Sequence, residues 1–440
     1  MIPRLSHSAA PVAWKQQEAR VWPWVRTLSG PGLVFVLAAF GPQNMISNAV
    51  VGAKYGYALL WILIPLAVAR YVVLEASGRY VVVTGESLAE GYTHFGRWVA
   101  WLLLISILAK RHLTNLSHIL LMGVALEMLL PLHGSHRAAA CSLLLWALGF
   151  WLMWWGRYAR IEKWFVYLGL LLACSLCAMA LFARPDAGSI LRGFTMPVVP
   201  RGASLGSTLF LLMALLGTGT GSIENLKYPA FLQENGLAQR DRLRSNRQQA
   251  LVSACGLLGA AFLVQVAVAA SDRSAQGIST INDLALIIGR VLGEPGRIAI
   301  GLGLTAAVFC TFVGANTGYS LITSDLFHRV LRRNRGDLRK VSTGDLAGYR
   351  GALLLFTVPP LYVLVTAWQP VWLVLLAAAA MVVLLPLSAT ALLLLTSNAA
   401  RMRGHANGWT ARAVLVLVIA TSLYLTWQNG KSFLSSVRFF

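Results

Sequence analysis

The sequence predicts an all-α membrane protein with eleven transmembrane helices, of which the first and the sixth are broken at mid-membrane. Composition is the first reason: 57% of the 440 residues are hydrophobic, 12% are charged and the mean hydropathy is +0.65. The second is that apolar segments of about 20 residues, the length that spans a bilayer as a helix, recur along the chain. The third is that residues 41–44 and 217–222, each inside such a segment, are rich in residues that end helices.

Eleven apolar segments give the predicted order of elements. They lie near residues 31–53, 58–78, 98–126, 137–156, 164–183, 205–234, 250–271, 297–325, 351–369, 371–397 and 412–429. Because the first and sixth are broken, the pattern predicts a five-plus-five inverted repeat, about 31–183 and 205–397, with an extra helix at about 412–429. Residues 1–30 are predicted to be a cytoplasmic N-terminal segment and 31–440 a single transmembrane domain.

The net charge of +21 is distributed as in a membrane protein. Most Lys and Arg residues fall in the N-terminal segment and in the loops after even-numbered segments, which places the N-terminus in the cytoplasm. We therefore expect an integral protein of a bacterial inner membrane, with lipid headgroups as partners of its basic face. The loops lack the motifs of a nucleic-acid-binding surface, so no nucleic-acid partner is expected. The spans carry no enzyme motif, and no cofactor is predicted.

The two breaks are the predicted substrate site. Backbone groups freed inside a bilayer must be satisfied by protein, water or a ligand, and discontinuous helices mark the binding sites of secondary transporters. The alternative is a pair of simple Gly/Pro kinks in packed helices. We expect both breaks to be unwound and to face one another across a cavity. The predicted substrate-binding residues are Gly41, Gln43, Asn44, Thr218, Thr220, Gly221 and Ser222.

Several runs of residues resemble a known family. They are residues 30–32 (GPG), the break at Pro42 and Asn44, residues 52–61 (GAKYGYALLW), 84–90 (TGESLAE) and 396–398 (TSN). In this register the chain resembles the natural resistance-associated macrophage protein (Nramp) family of proton-coupled divalent-metal transporters. The resemblance implies a leucine-transporter-type fold, with the ligand held between the broken first and sixth helices.

The chain departs from this family at the family's chemical positions. The first-helix motif Asp-Pro-Gly-Asn reads Gly-Pro-Gln-Asn here, so that Gly41 replaces the metal-binding aspartate. The sixth-helix motif Met-Pro-His aligns with Gly221, Ser222 and Ile223. In the third helix, Thr-Asp-Leu-Ala-Glu becomes residues 114–118, TNLSH, which are neutral or potentially basic. Carboxylate and thioether ligands for a transition metal are thus missing from the aligned positions, and no metal ligands are predicted.

These departures favour an anionic substrate, because the acids are lost and a Gly/Thr/Ser string leaves N–H groups that suit anions. We expect a small bicarbonate-like anion or a carboxylate-bearing organic solute such as an amino acid. One alternative is a carrier of manganese, iron or magnesium with a modified site that uses Glu224, Asn44 and carbonyl groups. Another is a sensor or scaffold that does not transport.

Charged and polar residues near the breaks are candidates for coupling to a proton or to sodium. The candidates are Asn115, His118, Glu224 and Lys227. Glu224 could also form a simple intrahelical pair with Lys227 at i,i+3. Lys110 and Arg111 are further cations of the third helix, with snorkelling to one surface as the alternative. We expect Glu75 and Arg79, spaced i,i+4, and Arg70 one and a half turns earlier to form a structural ion-pair group, with a gate as the alternative.

Overall fold

The computed structural model describes residues 31–127, 129–130, 137–155, 158–198, 205–221, 223–234, 242–270, 281–328, 347–366, 368 and 370–437. All regular elements in these ranges are helices. In chain order they are α1 (Pro31–Ala39), α2 (Pro42–Tyr55), α3 (Leu63–Thr84), α4 (Leu88–Tyr92), α5 (Arg97–Glu127), α6 (Arg137–Trp155), α7 (Tyr158–Phe182), α8 (Ala187–Thr195), α9 (Leu205–Thr220), α10 (Lys227–Glu234), α11 (Arg242–Ala270), α12 (Ile281–Leu326), α13 (Ala347–Thr357), α14 (Pro370–Ser397) and α15 (Trp409–Val437).

The number of membrane-length helices agrees with the sequence. Within the described ranges nine helices are long and apolar enough to cross a membrane, or up to eleven if each of two bent pairs is one span. One bent pair is α1 with α2, which meet at 62°. The other joins the C-terminal part of α7 to α8 at 108°. The predicted all-helical membrane architecture is confirmed. The N-terminal segment 1–30 lies outside the described residues.

The first break falls between α1 and α2, where the sequence predicts it. Pro42 opens α2, and a proline at this position loses nothing because the first N–H of a helix has no intrahelical partner. The residue before a proline avoids the helical region, and Gly41 is extended, with φ −111° and ψ −166°. Gln43 and Asn44 belong to the first turn of α2, so the break is shorter than the predicted stretch 41–44.

The second break is shorter than predicted and lies later in the chain. The helix α9 continues through Thr218 and Thr220, and both hydroxyls donate to carbonyls of their own helix, 2.8 Å to Ala214 O and 2.6 Å to Leu216 O. The break begins at Gly221, which has φ +66°, a value that L-residues other than glycine rarely adopt. Ser222 lies outside the described residues. A 3₁₀ turn, Ile223–Leu226, then leads into α10.

Two glycines of the predicted break serve helix packing instead. A Cβ atom on Gly217 would lie 2.5 Å from the carbonyl oxygen of Ala378 in α14. A Cβ atom on Gly219 would lie 2.9 Å from a methyl group of Leu66 in α3. Small residues allow helices in membranes to approach closely, so these glycines keep α9 against its neighbours without unwinding it.

A third irregularity, which the sequence analysis did not predict, separates α13 from the 3₁₀ helix Pro359–Val365. The prolines at 359 and 360 have no N–H, so carbonyls one turn earlier lose their helical partners. The side chain of Asn115 donates to Phe356 O at 2.6 Å. The indole of Trp146 donates to Thr357 O at 3.0 Å. The interruption thereby ties α13 to α5 and α6.

The predicted structural pair at the C-terminal part of α3 is present. Arg79 Nε lies 3.1 Å from a carboxylate oxygen of Glu75. The same guanidinium donates to the side chain of Asn407 at 2.6 Å and to the carbonyl of His405, which joins α3 to the segment between α14 and α15. Within the described residues Arg70 does not join this pair and donates instead to Thr218 O and Gly219 O, so its grouping with Glu75 and Arg79 was wrong.

Candidate functional site

A buried carboxylate follows the second break and contacts two lysines. Glu224 is 5% exposed and lies in the 3₁₀ turn that precedes α10. Its Oε1 atom is 3.5 Å from Lys227 Nζ, which confirms the predicted i,i+3 pair. The same oxygen is 3.2 Å from Lys110 Nζ of α5. The Lys110 ammonium also donates to the hydroxyl of Tyr319 in α12 at 2.8 Å. One carboxylate therefore links α5, α10 and α12.

The ammonium of Lys227 also caps the first broken helix. Ala38 O would normally accept from the N–H four residues later, but that residue is Pro42, which has none. Lys227 Nζ donates to this oxygen at 3.1 Å and is fully buried. The next carbonyl, Ala39 O, accepts from the side-chain amide of Asn44 at 2.8 Å. The break in the first helix is thus closed by one charged group and one neutral group of the protein itself.

Arg70 of α3 caps the second broken helix in the same manner. Its Nη1 atom donates to Gly219 O at 2.9 Å and to Thr218 O at 3.4 Å, two carbonyls at the end of α9. The guanidinium is fully buried and stacks over the ring of Phe35 in α1, with 5.1 Å from Cζ to the ring centroid. Its Nε and Nη2 atoms have no hydrogen-bond partner among the described residues.

Arg70, Lys110 and Lys227 form a cationic cluster around Glu224. The guanidinium of Arg111 extends this cluster along α5. Arg111 donates to Asn316 Oδ1 of α12 at 3.0 and 3.2 Å, and to the side-chain oxygen of Asn115. Asn115 in turn donates to Asn316 Oδ1 at 3.0 Å. His118 is fully buried, and neither of its ring nitrogens has a hydrogen-bond partner in the part of the chain that the structure describes. Asn115 is therefore a member of a packed network, while His118 remains a candidate for coupling.

Buried positive charge exceeds buried negative charge among the described residues around Glu224. The described cationic residues around Glu224 are Arg70, Lys110, Arg111 and Lys227, and none of them is more than 7% exposed. The alternative in which Lys110 and Arg111 snorkel to a surface is therefore wrong. Four buried cations face one carboxylate, and an uncompensated buried charge is costly unless an opposite charge joins it. Among the residues described, no group of three or more His, Cys, Asp or Glu side chains could hold a metal.

The predicted cradle of N–H groups is not formed by the described part of the second break. The Gly221 N–H donates to Gly217 O at 3.1 Å, and Thr220 remains helical. Positive charge comes instead from the side chains that surround the break. The prediction failed because it assumed that a Gly/Thr string unwinds, whereas the threonine hydroxyls and glycine packing described above keep α9 helical as far as Thr220.

The predicted residues of the first break are buried, and they serve mainly to hold the break. A Cβ atom on Gly41 would lie 2.6 Å from Thr311 Cγ2 of α12, so Gly41 is a packing position. The Gln43 amide nitrogen and the Asn44 amide oxygen are buried, and neither has a hydrogen-bond partner among the described residues. These two atoms remain candidates for ligand contact.

The residue that sequence reasoning missed is Arg70. Its spacing to Glu75 and Arg79 suggested a structural group near one end of the helix. The signal that points to it is its position in the middle of an apolar span, where a charge is functional by default.

A cavity of about 140 Å³ reaches Ile223, the residue before Glu224. Its apolar lining includes Tyr92, Trp98, Leu103, Ile223 and Leu384, and neither Gly41 nor Asn44 is among its lining residues. It is therefore not the cavity predicted between the two breaks.

Comparisons with known proteins agree with this architecture. The family model "Natural resistance-associated macrophage protein-like" matches residues 32–429. The divalent metal cation transporter MntH of Pectobacterium carotovorum is 23% identical over 414 residues, which cover 91% of this chain and 93% of that protein. Among solved structures, the manganese transporter of Eremococcus coleocola is similar with a TM-score of 0.66 and 15% identity, covering 91% of this chain and 86% of that one.

A further solved structure supports the same fold. MhsT in complex with L-phenylalanine is similar with a TM-score of 0.63 and 15% identity, covering 90% of this chain and 98% of that one. Together with the solved manganese transporter, it confirms the leucine-transporter-type fold. The family match covers most of the described helices, including both broken ones. This integral membrane protein therefore belongs to the Nramp family.

Proposed function

We propose that this Nramp-family membrane transporter carries a small anion through the region around Glu224. The proposal is carried by the excess of buried positive charge: Arg70, Lys110, Arg111 and Lys227 surround one carboxylate. An anion that enters this region compensates charge that the described side chains leave unbalanced. A bare divalent cation has the opposite effect.

The size of this electrostatic preference can be worked out from Coulomb's law. At an effective dielectric constant of about 20, a divalent cation about 6 Å from one unpaired cationic side chain is repelled by about 5 kcal/mol. Glu224 is already shared by Lys110 and Lys227, so its charge does not offset that repulsion. A monovalent anion at the same distance is attracted by roughly half that amount.

The free edge of Arg70 favours a planar oxyanion over a halide. Its Nη1 atom is used by the end of α9, whereas Nε and Nη2 have no partner among the described residues. These two atoms form the fork that binds a carboxylate through two parallel hydrogen bonds. Bicarbonate and the carboxylate group of an organic solute both have this geometry, in line with the substrate classes expected from the sequence.

Substitution of Arg70 by lysine tests this proposal because it keeps the charge and removes the fork. Binding of formate, bicarbonate and chloride is measured on purified protein, with manganese chloride as the metal arm. We expect Arg70→Lys to weaken oxyanion binding by roughly ten- to hundredfold, as for a loss of about 1–3 kcal/mol, and to change chloride binding much less. Arg79→Lys, which alters an arginine outside the cluster, is the control. Equal loss of oxyanion and chloride affinity would contradict oxyanion recognition by Nε and Nη2 of Arg70. Binding of manganese without binding of any anion would contradict the proposal of an anionic substrate.

The second candidate function is transport of a divalent metal, and the relatives favour it. Proteins named as manganese and divalent metal cation transporters are similar to this chain over most of its length. These comparisons support the metal alternative better than the anion hypothesis. For a metal to bind here, Glu224 must leave its two lysines and join Asn44 and backbone carbonyls. Manganese uptake that is abolished by Glu224→Gln would establish this candidate.

A further inference from the structure

We propose that Lys227 and Arg70 are built-in cations that occupy the carbonyl ends of the two broken helices, so that neither end binds sodium or another metal ion. This inference is compatible with the anion proposal and excludes a metal ion bound at these carbonyl ends. It addresses the coupling ion, for which a proton and sodium are both candidates from the sequence.

The carbonyl end of a half-helix inside a membrane is a natural cation site. It carries the negative end of the helix dipole and carbonyl oxygens without intrahelical partners. In transporters with broken helices, such carbonyls coordinate the coupling cation. Each of the two broken helices in this chain provides one such end, at Ala38 in α1 and at Gly219 in α9.

Lys227 fills the first of these ends. Its Nζ atom is 3.1 Å from Ala38 O and 3.5 Å from Glu224 Oε1, so the ammonium lies between a carbonyl and a carboxylate oxygen. A metal ion at this position would use the same two oxygens, since hard cations take oxygen ligands. The lysine is fully buried and starts α10, whose backbone holds its stem in place.

Arg70 occupies the carbonyl end of α9 as Lys227 occupies that of α1. Its Nη1 atom lies 2.9 Å from Gly219 O and 3.4 Å from Thr218 O. The stacking contact with Phe35 holds the guanidinium plane beside α1. The two capping cations come from different helices, Arg70 from α3 and Lys227 from α10. One cation on each broken helix is what a protein needs if it is to dispense with bound metal ions at both ends.

The chain offers a matched control in Lys110. This lysine is also buried and contacts the same carboxylate oxygen, at 3.2 Å. Its ammonium also donates to the Tyr319 hydroxyl, and in the described part of the chain it does not donate to the end of a broken helix. Removal of Lys110 therefore removes one of the two ammonium groups in contact with Glu224 Oε1, but it leaves the carbonyl end of α1 capped by Lys227.

The test measures binding of radioactive sodium to purified wild type, Lys227→Ala and Lys110→Ala, with N-methyl-D-glucamine chloride to keep the ionic strength equal. We expect no saturable sodium binding by wild type or Lys110→Ala, and saturable binding of about one ion per chain by Lys227→Ala. Sodium at about ten times its dissociation constant should also increase the folded-to-unfolded ratio of Lys227→Ala roughly elevenfold. Lys227→Arg, which keeps a cation, should bind none.

Two results overturn the inference. Saturable sodium binding by wild type would show that the carbonyl ends are open to metal ions. A folded Lys227→Ala protein that binds neither sodium nor potassium would show that its ammonium does not replace an ion. If Lys227→Ala does not fold, the wild-type measurement with sodium, potassium and manganese decides alone. Sodium and potassium are not candidate solutes, so these two measurements are separate from the anion proposal, whereas manganese binding also tests the metal candidate.

Discussion

Replacement of Glu224 by glutamine removes the one described negative charge in contact with Lys110 and Lys227. Both ammonium groups remain buried, at 7% and 0% exposure, and lose the negative charge of the oxygen that each approaches within 3.5 Å. Glutamine has nearly the same volume, so the change tests charge and not packing. Removal of one partner of a buried pair costs about 3–5 kcal/mol, because the other charge is left uncompensated. We expect Glu224→Gln to lose stability in this range.

The same structure predicts how that loss is recovered. Substitution of both partners, Glu224→Gln with Lys110→Met, removes a positive charge as well, leaves the Lys227 cap in place and should cost less than Glu224→Gln alone. An added anion should also stabilise Glu224→Gln more than it stabilises wild type, because the variant carries the larger excess of buried positive charge.

The free energy of unfolding in a mixed-detergent titration measures both effects. The control is Glu127→Gln, whose ion pair with Arg137 is partly solvent-exposed and should be worth less than about 1 kcal/mol. The reasoning is refuted if Glu224→Gln stays within about 1 kcal/mol of wild type, or if the double variant is less stable than the single one.

Three further changes test the helix interruptions by the same unfolding titration. Gly41→Ala places a Cβ atom 2.6 Å from Thr311 Cγ2 and should lower the free energy of unfolding by about 1–3 kcal/mol. Thr311→Ala should restore part of this stability, and no restoration would show that the contact is not the cause. Gly221→Ala should cost roughly 1–2 kcal/mol because φ is +66°, and a neutral effect would contradict the left-handed conformation. Asn115→Leu leaves the Phe356 carbonyl without its side-chain donor and should cost about 1–3 kcal/mol, whereas an unchanged stability would show that another donor replaces it.

The fold was predictable because its signals are local. The length of each apolar segment defines the spans. Pro42 defines the first break, because proline has no N–H to donate to the carbonyl four residues earlier and so cannot continue the preceding helix. The exact second break was not predictable in this way. Gly217 and Gly219 look like helix breakers in the sequence, yet their role depends on the close approach of α14 and α3, which only the tertiary structure supplies.

The candidate site could be predicted only in part, because only some of its contacts join residues that are close in sequence. Glu224 and Lys227 lie three positions apart in the sequence, so their pairing could be predicted from helical spacing. The contacts of Arg70 with Gly219 and of Lys110 with Glu224 join positions more than a hundred residues apart. No local pattern contains such pairs, and the excess of buried positive charge became apparent when the helices were packed together.

Uptake into proteoliposomes tests the central claim most directly. Radioactive manganese and radioactive bicarbonate are offered to the same wild-type preparation, with empty liposomes and Arg70→Lys as controls. The anion account predicts saturable bicarbonate uptake that Arg70→Lys reduces by roughly ten- to hundredfold in apparent affinity, and manganese uptake no greater than in empty liposomes. Saturable manganese uptake without bicarbonate uptake would contradict it.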